Sequence, residues 1–82
     1  MVVKSWKVEQ IAQDILKYNW ALVRNYYYKD SETMEDDAKL DVLNVVKETE
    51  KAMQVIVRCV TVGSEMDREY TTWIPKSCII EG

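Results

Sequence analysis

From Ser5 to about Tyr28 the apolar residues Val8, Ile11, Ala12, Ile15, Leu16, Leu22, Val23 and Tyr26 recur three and four positions apart, along one stripe of an amphipathic helix. Ser5 suits the N-cap, Glu9 lies in the early turns where the helix dipole favours an anion, and neither Pro nor Gly interrupts the run. Its second half, WALVRNYYY, is rich in aromatic and β-branched residues and is also compatible with a strand. The unbroken phase of the stripe favours one continuous helix. Lys29 to Ser31 is a polar break. Ser31 then caps a short acidic helix, with Glu32 and Glu35 in its first turns and Met34, Ala38 and Leu40 on its inner face.

From Val42 the period changes to two. Val42 to Lys47 reads as a first strand and Glu48-Thr49-Glu50 as a polar turn. In the second strand Met53, Val55, Val57 and Cys59 share one face. Gln54, Ile56, Arg58 and Val60 share the other, a mixed face that the N-terminal helix is expected to cover in part. Gly63 to Asp67 is a hairpin loop, and Arg68 to Ile74 a third strand with Tyr70, Thr72 and Ile74 opposite Thr71 and Trp73. Pro75 ends that strand, and Lys76 to Ile80 supplies a turn and a short closing strand. The predicted fold class is α+β. A long N-terminal helix and a short acidic helix (residues 5–41) pack on a three- to four-stranded antiparallel β-meander (42–81), in a single domain spanning 1–82.

Eighty-two residues leave room for one small core. The 48% hydrophobic content is that of a globular chain. Phe is absent, so three tryptophans and five tyrosines supply the aromatic bulk, and their polar groups need partners when buried. Cys59 and Cys78 are too few to staple a secreted domain, which points to reduced thiols; a pairing between neighbouring strands is left open. No apolar run approaches a membrane span and no signal-peptide pattern is present, so the expected location is cytoplasmic and the expected partners exclude a membrane.

Lys47-Glu48-Thr49-Glu50-Lys51-Ala52, a hydrophobic strand, and then Trp73-Ile74-Pro75-Lys76-Ser77 resemble a pattern, E-T-E-K-A followed by W-I-P-K-S, found in small uncharacterised proteins of bacteria and their phages. The resemblance covers the C-terminal part of the chain only. It implies a small β-meander with a barrel-like sheet and a phage or mobile-element origin, and it implies no activity. Cys78 stands where that pattern commonly has a polar residue, and the hairpin loop is longer here. Read physically, Trp73 lays its indole across the core face, Pro75 stops the strand, and Glu48, Glu50 and Lys51 pair across a tight turn.

Chemistry is constrained mainly by what is missing. With no histidine, the usual general base and nucleophile partner are absent, the two cysteines do not have zinc spacing, and two glycines cannot build a phosphate loop. The expectation is a non-enzymatic protein with no cofactor and no metal. A net charge of −3 argues against a general grip on nucleic acid. Asp30, Glu32, Glu35, Asp36, Asp37 and Asp41 are opposed within their stretch only by Lys39, and Tyr26, Tyr27 and Tyr28 precede them. Tyrosine beside carboxylates suits docking on a basic protein surface. The leading expectation is therefore an interaction protein that binds, and inhibits, a host protein or complex such as a nucleic-acid-handling defence complex. Its partner-binding residues would be Tyr27, Tyr28, Asp30, Glu32, Glu35, Asp36 and Asp37. One alternative is a single-stranded nucleic-acid-binding accessory protein using Lys51, Arg58, Tyr70, Trp73 and Lys76 on the sheet, where aromatic platforms and cations could serve. The other is a structural homo-oligomer, for instance a homodimer.

Overall fold

The computed structural model describes residues 1–27 and 37–81. Helix α1, Ser5–Ile15, is much shorter than the apolar stripe that announces it. Its stripe of Val8, Ile11 and Ile15 is fully buried. A 3₁₀ turn, Leu16–Tyr18, follows, and Asn19 then adopts the left-handed conformation (φ 61°, ψ 40°) with its N–H donating to the Leu16 carbonyl at 2.8 Å. Asn tolerates this conformation, and the reversal ends the helix. The next residues are extended as β2, Trp20–Leu22, and β3, Arg24–Tyr27. The long helix is therefore corrected to one helix and two strands, because aromatic and β-branched residues there gain cross-strand partners that a helix would deny them.

The short acidic helix is corrected as well. Asp37–Leu40 is a strand, β4, in which Ala38 and Leu40 are buried at strand spacing; the proposed cap and first turns at Ser31 to Asp36 lie outside the described residues. Val2–Lys4 forms β1, too short to leave a periodic signal. The remainder follows the predicted order: β5, Val42–Glu48; β6, Ala52–Thr61; β7, Asp67–Pro75; a 3₁₀ turn, Lys76–Cys78; and β8, Ile79–Glu81. Strands, not helices, dominate the fold, and no boundary separates a helical part from a meander at residue 41.

Two antiparallel sheets share these strands. One has the order β3-β4-β1-β8; in the other, β6 pairs with β5 and β2 and also with β7. Three stretches pass from sheet to sheet, one bending at Val23 between β2 and β3, one at Asp41 between β4 and β5, and one at the 3₁₀ turn between β7 and β8. The neighbour relations consequently close into a ring, β1–β4/β5–β6–β7/β8–β1, a barrel with two corners of the kind made by strands that switch sheets. Arg58 occupies the fork where the β2–β3 and β4–β5 arms part. Its N–H donates to the Asp41 carbonyl at 2.9 Å, and its carbonyl accepts from the Val23 N–H at 3.2 Å.

The ring encloses one apolar core of Val3, Ala38, Leu40, Val55, Val57, Cys59, Ile74 and Cys78, joined by Val8, Ile11 and Ile15 from α1. Helix α1 packs against β1, β2, β4 and β7 and so covers the inner face; it does not shield the outer face of β6 as the sequence suggested. Trp73 is also corrected. It pairs with Gln54 on the outer face and is 40% exposed, while Ile74 points into the core.

Candidate functional site

In the hairpin of β3 and β4, Arg24 pairs with Leu40, Asn25 with Lys39, Tyr26 with Ala38 and Tyr27 with Asp37. The register places Tyr27 directly across from Asp37 at the end of the hairpin. The chain that leaves after Tyr27 and returns at Asp37 carries the other proposed partner-binding residues. Tyr28, Asp30, Glu32, Glu35 and Asp36 lie outside the described residues.

The five residues of the nucleic-acid alternative do not share one surface. Tyr70, opposite Val57, faces inward and is half-buried, whereas Trp73 and Arg58 are on the outer face. Arg58 is held between two carboxylates, its Nη2 2.9 Å from Asp67 Oδ1 and its Nη1 3.5 Å from Asp41 Oδ2. Its guanidinium is held further in the charged form by the hydrogen bond and charge of Asp67 first, then by Asp41. Lys76 Nζ is 2.7 Å from Glu48 Oε2, so Glu48 pairs with Lys76, not across the turn with Lys51. The turn itself is fixed by Thr49, whose N–H donates to the Ala52 carbonyl at 2.8 Å and whose hydroxyl accepts from the Ala52 N–H at 3.1 Å. Lys51 is exposed beside it.

Other features were not read from the sequence. Tyr18, Trp20 and Tyr70 form an aromatic cluster, with Tyr18 4.9 Å from Trp20 and 6.4 Å from Tyr70 between ring centroids, and Lys17 Nζ 5.1 Å from the Tyr18 ring. At these spacings the rings pack on one another and leave no slot between them. The alternation of Trp20 and Leu22 was the available signal, masked by the helical stripe. The second feature is β5, exposed at every position but Val42, with Leu43, Val45 and Val46 among its exposed apolar residues.

Both cysteines are free and buried. Burial pushes the Cys59 thiol up to about 11, which makes it an inert apolar filler at neutral pH. Among the described residues no cluster of His, Cys, Asp and Glu could hold a metal ion, and no helix is long and apolar enough to cross a membrane. The described residues define a small, strand-dominated barrel closed over by one helix. No family model, no curated protein and no solved structure matches the chain.

Proposed function

We propose that this is a non-enzymatic cytoplasmic interaction protein that docks on a basic surface of another protein through the end of its β3–β4 hairpin. The observation that carries the reading is the pairing of Tyr27 with Asp37. It sets Tyr27 of β3 beside Asp37 of β4 in register, and these two residues flank the acidic run in the sequence, which supports the reading. The five carboxylates from Asp30 to Asp37 face only Lys29 as a neighbour of opposite sign within residues 28–37, so the surface repels nucleic acid and attracts cationic protein. The ion pairs that occupy Arg58 and Lys76 weigh in the same direction, since they remove two cations from the nucleic-acid alternative. An inhibitory action on a nucleic-acid-handling complex fits such a surface, because it competes for the cations that would hold phosphate.

The test is capture from a cell lysate, treated and untreated with nuclease, on the wild-type chain and on the chain carrying Glu35→Lys, Asp36→Lys and Asp37→Lys. Retention of a basic protein after nuclease treatment, lost on charge reversal, is the expected result. Capture that disappears with nuclease, or that the reversed chain matches, overturns the reading.

A further inference from the structure

We draw no further inference here: the strongest candidate, the apolar patch just past the C-terminal end of α1 where Leu16 and Tyr18 stand exposed beside Trp20 and Tyr70, carries nothing because nothing in the structure shows what covers it.

Discussion

Arg58 sits where three strands meet, and its backbone and side chain do separate things. The backbone ties the β2–β3 arm to the β4–β5 arm, while the guanidinium spans Asp41 and Asp67 on the outer face. Exposed ion pairs contribute little and are screened by salt. Arg58→Met should therefore lower the urea midpoint only slightly, and the two proteins should converge as salt is raised. Next to it, Cys59 illustrates burial without function. Its folded pKa is raised above the ordinary 9.0 to about 11, so the stability that it contributes is complete below pH 9 and lost as pH rises through 11. A pH series of urea melts should show that alkaline loss in the wild type and a flatter curve in Cys59→Ala.

At the scale of elements, the turn at Asn19 separates helix from strand. Asn19→Val should cost about 1–2 kcal/mol because a β-branched side chain strains the left-handed conformation, whereas Asn19→Gly should stay within a few tenths; urea denaturation measures both. The strand β5 shows how an exposed apolar edge is kept harmless. Its register with β6 slips at Leu43 and again at Val46, two bulges within seven residues that break the regular spacing a further strand needs. The chain should accordingly sediment as a monomer, and Leu43→Lys should change neither that mass nor the stability by more than about 0.5 kcal/mol.

The same elements explain what could be read from the residues. Val55, Val57 and Cys59 on one inward face follow from period two alone, but period two does not say which face of β7 is inward, and Trp73, expected on the core face, lies outward while Ile74 is buried. Residues 20–27 did not yield, because Leu22, Val23 and Tyr26 satisfy helical spacing while Trp20, Leu22, Arg24 and Tyr26 satisfy strand spacing. Only partners distant in sequence, Cys59 to Thr61 and Asp37 to Leu40, decide between them. The acidic run from Asp30 to Asp41 was legible in composition. That Tyr27 stands across from Asp37 depends on those same remote pairings.

For the whole molecule, the ring of strands closes only if β1 reaches both β4 and β8, so the N-terminal and C-terminal strands meet side by side. Neither strand is longer than three residues, and such short pieces hold only through the core that they share with α1. Ile11→Ala, at the centre of that core, should cost about 2–5 kcal/mol. Trp73→Ala, on the outer face, should cost much less in the same denaturation assay. A stable scaffold of this kind leaves the hairpin arm free to be changed without unfolding the rest. The most direct measurement is calorimetric titration of the protein captured from lysate into the wild-type chain and into the chain with Glu35→Lys, Asp36→Lys and Asp37→Lys. A loss of at least a hundredfold in affinity, with the wild-type affinity itself falling as salt rises, is the predicted result; affinities that agree within twofold would contradict the account.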